Sequence, residues 1–272
     1  MMRDSFFGVL IFIFFLFLLC LHQVRRIVAE RITRLMTTKP VETTFKTFHI
    51  EIKRFFLAYK FALSEIETKI NILKEEFKMI HAYNPIEHVS TRLKSPESIL
   101  LKVQKKELPA TIDVIRENIR DIAGVRITCS FVEDIYKVSE MLHNQCDIEI
   151  VDVKDYIAEP KENGYRSLHL IIKIPIYMSD RMEKIYTEVQ IRTIAMDFWA
   201  SLEHKIYYKY NKDMPEHIRN ELKDAALQAA ELDDKMERLN KEINILKEND
   251  MEHSFFGDTP IVDLANYLSR VK

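Results

Sequence analysis

Glycine is scarce in this chain of 272 residues, which has only Gly8, Gly124, Gly164 and Gly257. Neither of the glycine-rich phosphate loops, GxxxxGK[ST] or GxGxxG, occurs. Any phosphate bound here would therefore have to be held by side chains. Cysteine is equally sparse, with three residues and no CxxC spacing, which argues against a disulfide framework and a zinc site. Such cysteine usage is typical of a reducing compartment.

An excess of charge of either sign is also lacking. Forty basic and 42 acidic residues leave a formal net charge of -2, so the chain shows no sign of a nucleic-acid surface and we expect no DNA partner. Apolar residues make up 47% of the chain, which is enough for a substantial core. Beyond residue 40 the composition predicts a soluble cytoplasmic domain.

The one long hydrophobic run lies near the N-terminus and covers 16 residues from Phe6 to Leu21. A spanning helix needs about 20 residues, and extension to Val24 makes residues 6–24 a candidate membrane anchor, with the basic residues that follow on the cytoplasmic side. Two alternatives stay open. One is an over-extended reading frame whose true start is Met36. The other is a signal peptide, against which the absence of an A-x-A cleavage site in this segment argues. We divide the chain into this segment (1–40), a main domain (41–249) and a C-terminal tail (250–272), where residues 261–271 form a candidate docking helix.

Two long helices with apolar stripes are predicted at the ends of the main domain. Each stripe alternates steps of three and four residues, as a heptad seam does. Three partners are open for these stripes: each other, the core and a second subunit. We expect most of the residues to pack in the core and part of the surface to be buried between subunits. The stripes are Ile52, Phe56, Tyr59, Leu63, Ile66, Ile70, Leu73, Phe77 and Ile80, and Leu222, Ala225, Ala229, Leu232, Met236, Leu239, Ile243 and Leu246.

The segment between these helices predicts an α/β fold of the α+β type, a mixed sheet flanked by helices. Strands are expected at residues 125–132, 148–153, 165–174 and 184–193, and helices at 96–106, 134–143 and 196–210. Ser95 is the expected N-cap of the first of these helices, with Pro96 at its first position. The last is expected to turn Phe198, Trp199, Leu202 and Ile206 inward.

Two carboxylates stand out in this segment. Asp121 comes just before a predicted strand, where a cap or turn role is the usual one. Glu188 lies at the centre of a strand face, where a carboxylate is costly to bury unless it is paired or binds a cation. Together they could supply the oxygen ligands that Mg²⁺ prefers, with phosphates completing its coordination.

Cations and an aromatic ring accompany these acids. Arg92 and Lys94 precede a helix N-terminus, which itself attracts anions, and Lys102 follows on that helix. The stretch from Lys154 to His169 adds Lys161 and Tyr165 around a single glycine. Cations for phosphates, a ring to stack on a base and a carboxylate for Mg²⁺ are what a nucleotide phosphotransferase needs.

Five ordered motifs carry a resemblance to a known family. They are RxKSxxS at 92–98, DIAGVR at 121–126, PKxNGYRSLH at 160–169, EVQIRT at 188–193 and MDFWASLEHKIYYK at 196–209. Over about residues 51–247 the chain resembles the synthetase domain of RelA/SpoT enzymes, above all the single-domain small alarmone synthetases. The resemblance implies a nucleotidyltransferase-like fold, GTP/GDP pyrophosphokinase activity that makes ppGpp and pppGpp, and a homo-oligomer, with a tetramer favoured. No His-Asp dipeptide is present, so the hydrolase half of long family members is not expected.

The resemblance also implies roles for individual residues. Asp121 and Glu188 would bind Mg²⁺, and Glu188 would deprotonate the 3′-hydroxyl of the acceptor. The residues assigned to ATP are Arg92 and Arg126 on the adenine and Lys94 and Lys102 on the triphosphate. Those assigned to the guanine nucleotide are Tyr165 on the base and Lys154 and Lys161 on the phosphates. His169, expected on the same strand face as Tyr165, fits a phosphate or ribose contact. Gln190 and Arg192 are candidate supporting residues because they share the strand face of Glu188.

Two other functional classes compete with this interpretation. A catalytically silent nucleotide sensor would be indicated by loss of the acid at 121 or 188, and both acids are present. A membrane-tethered interaction module built on the two long helices would leave the cationic and acidic motif positions without an explanation.

Overall fold

The computed structural model of the protein describes residues 41–80, 83–209 and 214–254. These residues form six helices and five strands. In chain order they are α1 (Val41–Ile80), β1 (Ile86–Leu93), α2 (Pro96–Lys105), α3 (Ile112–Asn118), β2 (Ala123–Cys129), α4 (Val132–His143), β3 (Glu149–Asp155), β4 (Leu168–Tyr177), β5 (Met182–Thr193), α5 (Ile194–Lys209) and α6 (Glu216–Ser254).

The five strands form one sheet in the order β1-β2-β5-β4-β3. The central strand β5 buries Ile185, Thr187, Val189 and Ile191 on one face, as the alternation of the sequence predicts. Glu188 and Gln190 on the other face are only half-buried. The edge strand β1 buries little beyond Ile86. The predicted sheet with flanking helices is present, and β5 carries the acid of interest at its middle.

The chain divides into two compact units, whose boundaries fall within α1 and within the strands β1, β2, β4 and β5. The described part of the first unit consists of residues 41–66, 92–124 and 173–188. The described part of the second consists of residues 67–80, 83–91, 125–172, 189–209 and 214–254.

Helix α2 begins as its sequence predicts. Ser95 has extended backbone angles, φ -67° and ψ 150°, and its hydroxyl accepts a hydrogen bond from the Ser98 amide. Pro96 occupies the first helical position, where the missing amide hydrogen has no intrahelical partner in any case. The cap therefore fixes where the helix bearing Lys102 starts, directly after the short connection that holds Lys94.

The two apolar stripes have opposite fates. The α1 stripe is buried from Tyr59 to Leu73, which confirms the expected core packing. The α6 stripe is exposed within this chain, so core packing was the wrong expectation there. Its exposed members are Leu232, Met236, Leu239, Ile243 and Leu246.

Helix α5 also differs from the prediction in the face that it buries. Met196, Trp199 and Ala200 are buried, whereas Phe198 is 66% exposed and Leu202 and Ile206 are about 40% exposed. The Trp199 ring anchors the buried face because its Nε1 donates a hydrogen bond to the Leu222 carbonyl of α6. Inward placement of Phe198, Leu202 and Ile206 was therefore wrong.

Two elements were not predicted, and one strand begins later than expected. Strand β1 has a weak apolar pattern because it is an edge, and α3 is only seven residues long. The strand expected from residue 165 starts at Leu168, so Tyr165 lies in the preceding loop rather than on the strand of His169. The loop is closed by backbone hydrogen bonds from Gly164 N to Lys161 O and from Lys161 N to Tyr165 O.

The candidate anchor at residues 6–24, the alternative start Met36 and the segment 261–271 lie outside the described residues. Within the described ranges, no helix has the length and apolar character needed to cross a membrane.

Cys129 and Cys146, the two cysteines among the described residues, form no disulfide with each other, and burial raises the pKa of the Cys129 thiol.

Candidate active site

In the first unit, Asp121 lies between two lysines. It occupies a turn just before β2, and its Oδ2 accepts hydrogen bonds from Lys94 Nζ at 2.6 Å and Lys102 Nζ at 2.7 Å. The Lys94 amide also donates to the Ile122 carbonyl at 2.8 Å, which ties the end of β1 to this turn. Three residues that were separate candidates in the sequence thus form one charged cluster.

The second oxygen of Asp121 is in a different state. Oδ1 is buried and has no hydrogen-bond partner among the described residues. Burial raises the pKa of this carboxyl, but the hydrogen bonds and charges of Lys102 and Lys94 outweigh it and hold the pKa below its usual value. Asp121 is therefore an ionised carboxylate with one oxygen that has no hydrogen-bond partner. Such an oxygen is the kind of ligand that a hard cation prefers.

Glu188 lies on β5, the sheet neighbour of β2. Its side chain is half-buried on the strand face that it shares with Tyr186, and Tyr186 is 4% exposed. Tyr186 donates a hydrogen bond to Glu117 at 3.2 Å and lies under the Arg120 guanidinium at 5.0 Å. The strand around Glu188 is thus held by polar contacts in the same unit.

No group of three or more His, Cys, Asp or Glu residues in the described ranges is arranged to hold a metal ion. Mg²⁺ does not require such a group, because it retains several waters and is commonly bound through one or two carboxylates plus substrate phosphates. The unpartnered Oδ1 of Asp121 fits this mode of binding.

In the second unit, the predicted acceptor residues form a ring cluster around Tyr165. The Tyr165 hydroxyl is 2.7 Å from His169 Nε2, and the rings of Tyr156, Tyr165 and His169 meet edge to face at 5.2–6.0 Å between centroids. Lys161 Nζ lies 4.5 Å from the Tyr156 centroid and 4.7 Å from that of Tyr165. The structure thus brings Lys161, Tyr165 and His169 together and adds Tyr156, to which the sequence analysis gave no role although it lies in the same stretch from Lys154 to His169.

Gly164 gives this loop its shape. It has φ +85°, a conformation that side-chain-bearing residues rarely adopt. A Cβ placed on it would lie 2.5 Å from Ala226 Cβ of α6. The loop therefore approaches α6 as closely as a glycine allows, and Tyr165 packs against the buried Trp199, Ala200 and Ala226.

A third acid, Asp197, pairs with two arginines of this unit. Its Oδ1 is 3.1 Å from Arg126 Nη1 and 3.1 Å from Arg192 Nη1. Arg192 is 4% exposed and donates through Nη2 to Tyr165 Oη and Gln190 Oε1. The sequence analysis assigned Asp197 no role, although it lies in the motif at residues 196–209.

Two candidates are not joined to these clusters by the contacts seen. Lys154 lies exposed on β3 and pairs with Asp152 at 3.5 Å. Arg92 is exposed on β1, and its carbonyl oxygen is the nearest atom to a Cβ built at Gly124, at 3.7 Å.

Comparison with known proteins decides the family. Residues 91–213 match the model of the region found in RelA/SpoT proteins. The chain is 53% identical over 199 residues to the GTP pyrophosphokinase YwaC of Bacillus subtilis, covering 73% of this chain and 95% of that protein. The chain belongs to the RelA/SpoT family. The resemblance inferred from the motifs is confirmed.

Two solved structures place the chain among the single-domain members of the family. The small alarmone synthetase 2 of Bacillus subtilis matches at 52% identity and a TM-score of 0.65, covering 71% of this chain and 99% of that one. The small alarmone synthetase 1 of the same organism, bound to its product pppGpp, matches at 39% identity and a TM-score of 0.67, covering 71% and 98%. The predicted α+β fold of a small alarmone synthetase is therefore confirmed.

Proposed function

We propose that this RelA/SpoT-family chain transfers the pyrophosphoryl group of ATP to the 3′-oxygen of GDP or GTP, making ppGpp or pppGpp and releasing AMP. The observation that carries the proposal is the Asp121 carboxylate, held on one oxygen by Lys94 and Lys102 and unpartnered on the other. Support also comes from the GTP pyrophosphokinase that shares 53% of its residues over the matched region and from the relative bound to pppGpp.

The triphosphate of the donor nucleotide is assigned to the charged cluster of the first unit. The family resemblance assigns the adenine to Arg92 and Arg126. Lys94 and Lys102 place two positive charges on the single Asp121 carboxylate. A triphosphate carries more negative charge than this carboxylate and would therefore attract the two lysines more strongly. Their movement onto ATP would leave both oxygens of Asp121 available. Asp121 and Glu188 would then hold Mg²⁺, whose charge neutralises that of the ATP phosphates.

The acceptor nucleotide is assigned to the ring cluster of the second unit. Tyr165 supplies a ring for stacking on guanine, and Lys161 lies beside it with a positive charge for the nucleotide's phosphates. His169 contacts the Tyr165 hydroxyl and is proposed to reach a phosphate or the ribose, with Gln190 as a supporting residue and Lys154 as a further cation.

Glu188 is proposed as the general base. Its carboxylate accepts the 3′-hydroxyl proton, the 3′-oxygen forms a bond to the β-phosphorus of ATP, and the bond from that phosphorus to the α–β bridging oxygen breaks. AMP leaves with the electron pair of that bond. The protein's contribution is positioning and charge neutralisation, as in other phosphoryl transfers.

The test uses purified protein, ATP labelled at its β- and γ-phosphates, and GDP or GTP in separate reactions. We expect label on the guanine nucleotide and one AMP released for each labelled product. AMP release without labelled guanine nucleotide would indicate hydrolysis and contradict the proposal. Comparison of the two acceptors gives the preference between GDP and GTP.

A homo-oligomer, with a tetramer favoured, is proposed for the assembly. The support is the α6 stripe, whose five apolar residues from Leu232 to Leu246 are each 45–58% exposed in the single chain. A second copy would bury this surface in a closed assembly. Light scattering on a chain that starts at Met36 tests this without the apolar run at residues 6–24. A monomer at all micromolar concentrations would contradict it.

The catalytic domain is proposed to work in the cytoplasm, where ATP and guanine nucleotides are available. Unpaired Cys129 and Cys146 are consistent with a reducing compartment. Fractionation of cells producing the full chain and the chain from Met36 would test the membrane anchor proposed for residues 6–24. Equal recovery of both in the soluble fraction would contradict the anchor.

A further inference from the structure

Asp197 carries one negative charge that serves two arginines. Arg126 Nη1 and Arg192 Nη1 are each 3.1 Å from the same oxygen, Oδ1. The Arg192 side chain is 5% exposed, and a guanidinium buried to this degree needs a counter-charge. Asp197 is in the first turn of α5, where the helix dipole also favours a carboxylate. It is therefore a fixed point between two cationic side chains.

Arg192 passes this support to Tyr165. Its Nη2 donates to Tyr165 Oη at 2.6 Å and to Gln190 Oε1 at 2.8 Å, and its Nε donates to Ser167 Oγ at 3.4 Å. The guanidinium carbon also lies 5.2 Å from the Tyr165 ring centroid. A planar group with several hydrogen bonds in fixed directions has little freedom to turn. The position of the Tyr165 ring is therefore set from its hydroxyl end by Arg192.

The hydroxyl of Tyr165 extends the chain of contacts to His169. Arg192 can only donate hydrogen bonds, so the Tyr165 oxygen accepts from it and the hydroxyl proton can be donated to His169 Nε2 at 2.7 Å. The contacts run without a break from Arg126 through Asp197, Arg192 and Tyr165 to His169.

We propose that Asp197 and Arg192 are positioning residues for the transfer, and that the single Asp197 carboxylate orients side chains for both substrates. This inference rests on the proposed function, which assigns Arg126 to ATP and Tyr165 to the guanine nucleotide. Arg192 supports the acceptor side alone, because its contacts lead to Tyr165. Loss of the Asp197 carboxylate should therefore weaken the binding of both nucleotides, and loss of the Arg192 guanidinium should weaken the binding of the guanine nucleotide alone.

The test is steady-state kinetics of Asp197→Asn with each nucleotide varied in turn. The amide keeps the shape and removes the charge, so we expect KM to rise about tenfold for ATP and for GDP, the size of effect typical of one charge-assisted hydrogen bond. Turnover at saturation should change by less than about threefold, because a lost binding contribution raises KM and leaves kcat. Asp147→Asn is the matched control, because Asp147 forms an ion pair of 2.7 Å with Lys69, which is neither of the arginines that Asp197 contacts. Both KM values of this control should stay at the wild-type level.

Arg192→Lys separates the support given to the ATP side from the support given to the guanine-nucleotide side. It keeps a positive charge near Asp197 and removes the planar fork, so KM for GDP should rise while KM for ATP stays within about twofold. Thermal unfolding confirms that each variant is folded. If Asp197→Asn does not fold, the Arg192→Lys comparison decides, and an unchanged KM for GDP overturns the proposal.

The results that refute the inference differ from those that refute the function. A rise in only one KM for folded Asp197→Asn, or a fall in kcat with neither KM changed, overturns the shared support while wild-type transfer stands. Absence of any labelled guanine product from the wild-type protein overturns the proposed function itself.

Discussion

Gly164 is the position where a single methyl group should have the largest structural effect. Its φ of +85° costs a side-chain-bearing residue about 1–2 kcal/mol. The added Cβ would meet Ala226 Cβ at 2.5 Å, and overpacking of this kind costs about 1–3 kcal/mol. The reduced freedom of the unfolded chain returns about 0.4–1 kcal/mol. Gly164→Ala should therefore lower the free energy of unfolding by about 1–4.5 kcal/mol.

Urea unfolding at equilibrium measures this change, and Gly124→Ala is its control. A Cβ at Gly124 would have its nearest neighbour at 3.7 Å, an ordinary contact, and no positive φ is involved. That variant should have a free energy of unfolding within about 1 kcal/mol of wild type. Because Gly164 precedes Tyr165, the first variant should also raise KM for the guanine nucleotide more than KM for ATP.

A double-mutant cycle with Ala226→Gly separates the two causes. Removal of the Ala226 methyl relieves the contact but leaves the positive φ, so the cost of Gly164→Ala should shrink by the overpacking part, about 1–3 kcal/mol. Additive effects in the cycle would show that the close approach is not the cause. A loss below about 1 kcal/mol for Gly164→Ala alone would refute the reasoning on both counts.

Three further results are expected. Glu188→Gln keeps the shape of the side chain but removes the charge that accepts the proton, so turnover should fall at least about a hundredfold. Near-normal alarmone synthesis by this variant would contradict the assignment of Glu188 as the general base. Tyr165→Ala should weaken guanine-nucleotide binding by about 1–3 kcal/mol and ATP binding much less, as titration of each nucleotide would show. Burial raises the pKa of Asp233 to about 6. Between about pH 4 and pH 6 the folded protein therefore keeps a proton on Asp233 that the unfolded chain has lost. The contribution of this proton to the free energy of unfolding is lost as the pH rises through this range. Asp233→Asn should flatten this part of the stability profile, and an unchanged slope in pH-dependent urea unfolding would contradict the shift.

The strand face of Glu188 and the start of α2 were predictable from the sequence because strand alternation and helix capping depend on neighbouring residues. The alternation in β5 placed Glu188 on the face opposite Ile185 and Val189, and the structure shows that face half-buried at Glu188. Ser95 and Pro96 predicted the start of α2, since capping depends on neighbouring residues alone. Local rules of this kind require no knowledge of the rest of the fold.

The failures have two physical causes. Phe198, Leu202 and Ile206 are exposed, and the α6 stripe is exposed as well, because a helical period shows that a face is apolar without showing what covers it. Strand β1 was missed because an edge strand buries too few residues to leave an alternating pattern.

The sequence alone determined the family, the reaction class and the residues that carry charge, because motif order and residue chemistry are properties of the linear chain. Only the tertiary structure decided which of those charges meet. Lys94 and Lys102 share one oxygen of Asp121, and Asp197 holds Arg126 and Arg192. Contacts between residues far apart in the chain depend on strand order and helix packing, and no local pattern specifies them.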